Sequence, residues 1–546
     1  MRAEGPLLRG LFVCGLLGAL AAGAASAESV EQRLRTRLEH LPRPLEIVVH
    51  GEPIRASQAL PEFYERVVYR PLWVAEAGPL PRAGELVEAI RSAARDGVAP
   101  GDYHLGAIEE ILARLPSAPD AGALTDLELL LTDAFLVAAA HLVSGRVDPV
   151  TFDPEWIAVR READLVALLE RAVTTSSPAA ELAQLLPEQP GYFALRDALE
   201  TYRSLAAAGG WPSVVEGPKL EPGARDSRVV ALRRRLEVTD DGIEAESEEP
   251  LYDAALEAAV KRFQERHGLA PDGVVGPRTL AALNAPASER VTQIELNLER
   301  WRWLPQDLGR RYVVVNIAGF ELESVEQGSV SSTHRVAVGR SYRRTPVFSD
   351  AIRYLVLNPF WEVPTKLAVQ DKLPEIRKDP AYLERQGFVV LQGWGESQRR
   401  VDPATLYWTA LGRGNFPYRL RQDPGPLNAL GRVKFMFPNR FNVYLHDTPG
   451  REVFASFERD VSSGCIRVER PLELAEWLLA GAERWDRAAI DRAVATGRET
   501  VVPLAEPVPV HLLYWTAWVD ADGTVQFRRD IYGRDALLAT ALAGRY

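Results

Sequence analysis

Hydrophobic positions recur at two different periods along this chain. Between about residues 29 and 210 they fall at helical spacing. Leu86, Ala89, Ile90 and Ala93 form one such stripe, and Leu127, Leu130, Leu131, Ala134, Phe135 and Ala138 another. Pro and Gly punctuate the pattern at residues 97–100 and 176–178. This predicts a helical scaffold domain over residues 28–210. A second unit over residues 218–286 repeats the helical period more tightly. Val229, Val230, Leu232 and Leu236 mark one helix, and Leu256, Ala259, Val260 and Phe263 a second. Asp272-Gly273 supplies a tight turn, and Gly276-Pro277 opens a third helix through Thr279, Leu280 and Leu283. Residues 287–310, with Trp301, Trp303 and Pro305, read as a linker helix. From Arg311 the period shortens. Tyr312 to Ile317 is a buried-strand pattern ended by Gly319, and strand-like runs follow at residues 334–339, 352–358, 388–392, 433–437 and 442–446.

The predicted fold class is therefore multidomain α+β. A helical scaffold and a three-helix module precede a β-rich domain over residues 311–505, and residues 506–546 form an extension packing on that domain. Residues 364–426 are more irregular, helix-like only over 366–379, with Trp394 and Trp408 in loop-like surroundings. A structureless insert of that length inside a compact domain is expected to act as a lid or binding loop, so we read it as a cap.

The chain starts with Arg2 and Arg9, then an apolar run from Leu11 to Ala22, then Ala25-Ser26-Ala27. That order is a secretory signal, with cleavage expected after Ala27. An uncleaved run would leave the protein membrane-associated, although the run is short for a span. No later segment reads as long and apolar enough to cross a bilayer, so the expected location is the periplasm, in soluble form. Net charge is −11, which argues against nucleic acid as a partner. The twelve Trp and sixteen Tyr suggest aromatic-lined grooves as well as core.

Cysteine usage changes the picture most. There are two, and Cys14 lies in the removable segment. A mature chain left with Cys465 alone cannot form an internal disulfide, and an oxidising compartment disfavours an idle thiol. Cys465 is either an inert packing residue or a nucleophile. Ser463 and Gly464 precede it and Arg467 follows, while His446 ends an apolar strand upstream. A Cys with a His elsewhere and a nearby cation is the pattern of a thiolate nucleophile. Pro471 opens a helix soon after, and a positive helix end with Arg467 favours the thiolate. His446 is the expected base and later acid. The N–H groups of Gly464 and Cys465 are candidates for an oxyanion hole.

Two stretches also carry resemblances. Residues 259–276 resemble the three-helix peptidoglycan-binding domain of cell-wall hydrolases. The runs His446-Asp447-Thr448-Pro449 and Ser462-Ser463-Gly464-Cys465-Ile466-Arg467-Val468 resemble the L,D-transpeptidase (YkuD) catalytic domain, and in particular its large periplasmic, YcbB-like subgroup. Residues 422–431 and 515–527 fit the same family. The commoner family pattern has His directly before Gly-Cys, where this chain has Ser463. That departure fits the large subgroup and implies His446 as base.

The resemblance implies a thioester on Cys465, formed from a stem tetrapeptide with loss of terminal D-Ala and resolved by the amine of a neighbouring stem as a 3→3 crosslink. Donor and acceptor stems are then the partners, with cell-wall synthesis proteins as further candidates for a chain expected to be monomeric. Carbapenem acylation of Cys465 is also implied. Water as acceptor would make the protein an L,D-carboxypeptidase or a crosslink-cleaving enzyme. A wall-binding scaffold without turnover is the alternative from another class.

Around this pair, Asp447 either orients His446 or shapes the turn. Arg467 holds a substrate carboxylate or supports the Cys loop. Tyr444, on the strand face of His446, lines the pocket or packs. Ser463, Asn428 and Trp361 complete the substrate-binding candidates. His40, His50, His104 and His141 lack ligand spacing, His267 belongs to the match with the binding module, and His334 and His511 have no visible partners. No metal or other cofactor is expected.

Overall fold

The computed structural model describes residues 28–39, 44, 46–116, 120–157, 160–239, 241–242, 249–482 and 484–544. The expected signal peptide with Cys14, and His40, lie outside the described residues. Two compact units are present, Met1–Gly84 with Gly106–Asp133, and Glu85–Leu105 with Ala134–Tyr546.

The first unit is helical, with Leu34, Leu60, Phe63, Tyr64 and Trp73 fully buried. Its centre is polar. The carboxylate of fully buried Glu128 accepts from Tyr64 Oη at 2.7 Å and from the N–H groups of Leu72, Trp73 and Val74 at 2.6, 2.8 and 3.2 Å. Burial still outweighs those donors and raises its pKa to about 7. One expectation is corrected here. The helix Ala121–Ser144 is long and apolar enough to cross a membrane, at a mean hydropathy of 1.6. It is 83% buried inside the protein over that window, and its Glu128 and Asp133 bind backbone N–H groups, so it is a core helix here.

The second unit contains the other regions. Helices Arg228–Glu237, Ala254–Arg266 and Pro277–Asn284 form the predicted three-helix module around Val229, Leu232, Leu236, Leu256, Val260, Phe263 and Leu283. Asp253 caps the middle helix through Leu256 N, and Pro277 starts the last. Helix Ala287–Arg302 is no exposed linker. Eleven of its residues, from Ala287 to Arg302, are buried, and it packs along helix Pro190–Ala207.

The β-rich domain is built from nine strands: β1 (Arg311–Asn316), β2 (Glu321–Glu326), β3 (Ser329–Gly339), β4 (Phe348–Leu357), β5 (Val433–Met436), β6 (Leu445–His446), β7 (Asp460–Ser462), β8 (Ile466–Val468) and β9 (Thr500–Leu513). Their order is β7-β3-β8-β6-β5-β4-β9-β1-β2, and β2 pairs again with β3. That second pairing closes eight of the strands into a barrel, while β7, paired only with β3, keeps one free edge. Val313, Leu322, Val336, Leu355, Phe435, Leu445, Ile466 and Leu512 fill the interior. The expected boundary at residue 505 falls within β9, whose second half pairs in parallel with β1 (Val510↔Val313) and antiparallel with β4. The chain end is thus partly a wall of the barrel, not only a layer on it.

The cap is more ordered than its sequence suggests. Two-residue strands Trp361–Glu362 and Arg399–Arg400 join Phe388–Gln392 and Tyr418–Gln422 in a four-stranded sheet. Val363, Leu373, Ile376, Phe388, Val390, Trp408 and Leu420 give it a core of its own. It therefore begins at residue 361 rather than 364.

Candidate active site

The pleat of β6 and β8 sets the site. These neighbours are parallel, with Leu445↔Ile466 and His446↔Arg467 in register. Ile466, Val468 and Leu445 point into the core. Tyr444, His446, Cys465 and Arg467 therefore share the other face. Cys465 does not sit directly before a helix as expected. Strand β8 intervenes, and helix Pro471–Leu478 starts only after it, so the helix N-terminus is not at the thiol.

The register places Tyr444, not His446, directly beside the thiol. Its backbone N–H and hydroxyl are turned toward Sγ, and Arg467 lies on the same face. Sγ also points to Asn442 O at 3.9 Å. Asn442 has φ 54, a left-handed conformation unusual for a side-chain-bearing residue, at the entry to the site. Burial pushes the thiol pKa up; Tyr444 and Arg467 only partly offset it. That direction is opposite to the expected activation as a thiolate.

His446 is buried, with its ring 5.7 Å from that of Tyr444. Burial and the Arg467 and Lys434 cations lower its pKa to about 4. Nδ1 lies 2.5 Å from the carbonyl oxygen of Asp447. A carbonyl only accepts, so Nδ1 carries the proton and Nε2 presents its lone pair. The orienting group is thus the Asp447 backbone. The Asp447 side chain turns away to Arg432 and Arg451, each at 2.8 Å. It packs on Gly431, where a Cβ would meet it at 2.5 Å.

The nucleophile loop is fixed by its own hydrogen bonds. Ser462 Oγ donates to Cys465 O at 2.6 Å and accepts from Gly464 N at 3.0 Å. The Gly464 N–H is therefore engaged and is not a free oxyanion donor. The Cys465 N–H has no hydrogen-bond partner among the described residues. Gly464 O accepts from Thr345 Oγ1 at 2.8 Å. Thr345 is itself held by Tyr532 Oη on its N–H, and by Arg534, which donates to its carbonyl and pairs with Asp153 at 2.7 Å. Sequence reading missed Thr345, Tyr532 and Arg534, because nothing local links residues so far apart.

The other expected residues divide. Ser463 is exposed and accepts from Arg343 at 3.2 Å; Arg343 in turn binds Asp371 of the cap at 2.6 Å. Trp361, on the cap's edge strand, favours the ionised form of the Tyr444 phenol by hydrogen bonding and so reaches the site. Asn428 does not: it is buried and saturated by Pro359 O, Gln422 O, Asp423 O and Leu430 N. His267, His334 and His511 are buried and His141 is partly buried, all with depressed pKa values. Among the described residues no three His, Cys, Asp or Glu side chains converge as metal ligands.

Comparison with known proteins fits this geometry. Residues 310–502 match the model of the L,D-transpeptidase catalytic domain, YkuD. Residues 310–502 are an L,D-transpeptidase catalytic domain. Residues 58–199 match a Scaffold domain, and residues 225–283 a "Putative peptidoglycan binding domain". A Haemophilus influenzae protein described as "Putative L,D-transpeptidase" is 37% identical over 246 residues, 45% of this chain and 48% of that one. The match thus spans about half the length of that relative. L,D-transpeptidase structures from Xylanimonas cellulosilytica and Stackebrandtia nassauensis align with 55% of this chain and with 99% and 96% of theirs. Their identities are 18% and 14% and their TM-scores 0.17 and 0.21, values at which the likeness carries no argument.

Proposed function

We propose that this chain is a cysteine L,D-transpeptidase that forms 3→3 peptidoglycan crosslinks after export by its N-terminal segment. The observation that carries the reading is the neutral His446 with Nδ1 held by a carbonyl, on one strand face with Cys465, whose own N–H is unengaged.

A neutral pair reacts by general-base catalysis rather than from a stored ion pair. As Cys465 Sγ attacks the carbonyl carbon of the donor's third residue, its proton passes to His446 Nε2. The Cys465 N–H donates to the developing oxyanion. Collapse breaks the C–N bond, and His446 returns the proton to the leaving D-Ala nitrogen. The acceptor amine then attacks the thioester carbonyl, gives a proton to His446, and expels the thiolate, which takes that proton back. The cap over this face excludes water and favours the amine.

The test is mass spectrometry of disaccharide-tetrapeptide incubated with the mature protein and with Cys465→Ala. A Cys-dependent dimer, lighter than two monomers by one D-Ala, is expected. Tripeptide alone would make the protein an L,D-carboxypeptidase. Neither product, with no acylation of Cys465 by a carbapenem, would favour a wall-binding scaffold and overturn the proposal.

A further inference from the structure

Arg467 carries a charge that nothing on its own fold answers. It is half-buried beside the thiol, its Nε is shielded from solvent without a hydrogen-bond partner, and it forms no ion pair among the described residues. A buried, unsatisfied guanidinium donor is costly, and most such groups in folded proteins are paired. A second arginine lies near it, one residue past the end of the neighbouring strand. Arg340 follows the end of β3, anchored by its backbone N–H to Ser462 O at 3.1 Å, and is close enough to lower the Arg467 pKa by repulsion. The Arg340 side chain also has no hydrogen bond or ion pair among the described residues. Glu452 and Asp371 exert only a distant field: Glu452 acts on Arg467 beyond ion-pair range, and Asp371 is taken by Arg343.

The strand opposite Arg467 carries small residues, and the backbone of residues 343–345 packs against its end. Arg467 lies opposite Ala337 on β3, and Gly339 follows on the same face. A Cβ at Gly339 would meet Arg343 O at 2.1 Å. Two like charges held together without a counter-ion, beside a nucleophile, form a receptor for an anion that arrives with the substrate. Planar guanidinium forks match a carboxylate in particular.

Resting on the transpeptidase reading, we propose that Arg340 and Arg467 together bind the terminal carboxylate of the donor stem, on the residue that leaves. Cys465 and Arg467 are two residues apart on one strand face, about 7 Å along the chain. A peptide lying across the thiol reaches the guanidiniums with the residue that follows the scissile bond. The pair then selects stems ending at that residue, because any further residue moves the carboxylate away.

Two measurements separate this inference from the reading beneath it. The first is alkylation of Cys465 by iodoacetate and by neutral iodoacetamide, which needs no transpeptidase activity. The rate ratio, acetate over acetamide, is expected to fall about tenfold in Arg340→Gln and to recover in part in Arg340→Lys. An unchanged ratio overturns the proposal. The second compares donor tetrapeptides with a free or an amidated C-terminus. The unaltered protein is expected to prefer the acid in kcat/KM, and Arg340→Gln to lose that preference chiefly through KM. Equal preference in both proteins overturns it. A shifted alkylation ratio with no turnover of either donor supports the anion site and removes the transpeptidase reading instead.

Discussion

The peptidoglycan-binding module and the Cys465 face use polar side chains in opposite ways. In the module, Gln264 is almost fully buried, and its amide serves Asp272, Val274 O, Thr279 and Gly273 N, all within 3.2 Å. Arg266 forms two bonds to buried Asp241. On the Cys465 face, Arg340 and Arg467 have no anionic partner and the Cys465 N–H is unengaged among the described residues, while burial raises the Cys465 pKa and lowers that of His446. Buried polar groups satisfied internally specify a fold; buried polar groups left unsatisfied cost stability and are kept where a ligand completes them. The lesson is that the module answers its buried arginines with carboxylates of its own, as Asp253 answers Arg233 and Asp241 answers Arg266, whereas the reactive face does not.

The largest effect should come from removing the base. His446→Gln is expected to lower kcat by about 10²–10⁴-fold with little change in Tm. In the unaltered protein kcat/KM should fall on acidification only as pH drops through about 4, where His446 gains its proton. An acid limb near 6.5 would show that the imidazole is not desolvated and would blur the contrast. The matching substitution in the module, Gln264→Leu, strands the Gly273 N–H and should cost about 1–3 kcal/mol by thermal or denaturant unfolding. Alkylation of Cys465 should not change. If it did, the two regions would not be independent. Between the extremes lies Thr345→Val, which keeps shape but deletes the bonds to Gly464 O and from Gly339 N. A roughly tenfold loss in kcat with about 1 kcal/mol of destabilisation would show that satisfied groups position the nucleophile. A change in stability alone would assign Thr345 to folding only.

Much of this was legible beforehand, and particular residues show where legibility stopped. The helical stripe Leu256, Ala259, Val260, Phe263 became the middle helix of the module because a period of 3.6 encodes its own buried face. Cys465 stood out because a lone thiol in an exported chain needs a use. Of the cap's sheet only the run at 388–392 was visible, since strands as short as Trp361–Glu362 exist only through their partners and carry no period. Helix Ala287–Arg302 read as a linker because its buried face carries Gln293, Asn297 and Arg302, which have partners distant in sequence.

The sequence by itself determined the domain order, the three-helix module, the β-rich character after Arg311 and the pairing of one His with one Cys as the chemical candidates. Each is written in local periodicity or in residue type. Tertiary structure alone decided that the sheet closes, that Tyr444 rather than His446 lies beside the thiol, that a backbone carbonyl fixes the imidazole, and that Arg340 comes to lie near Arg467. Those outcomes depend on strand register and on desolvation by distant segments, and neither is a property of any stretch of chain taken alone.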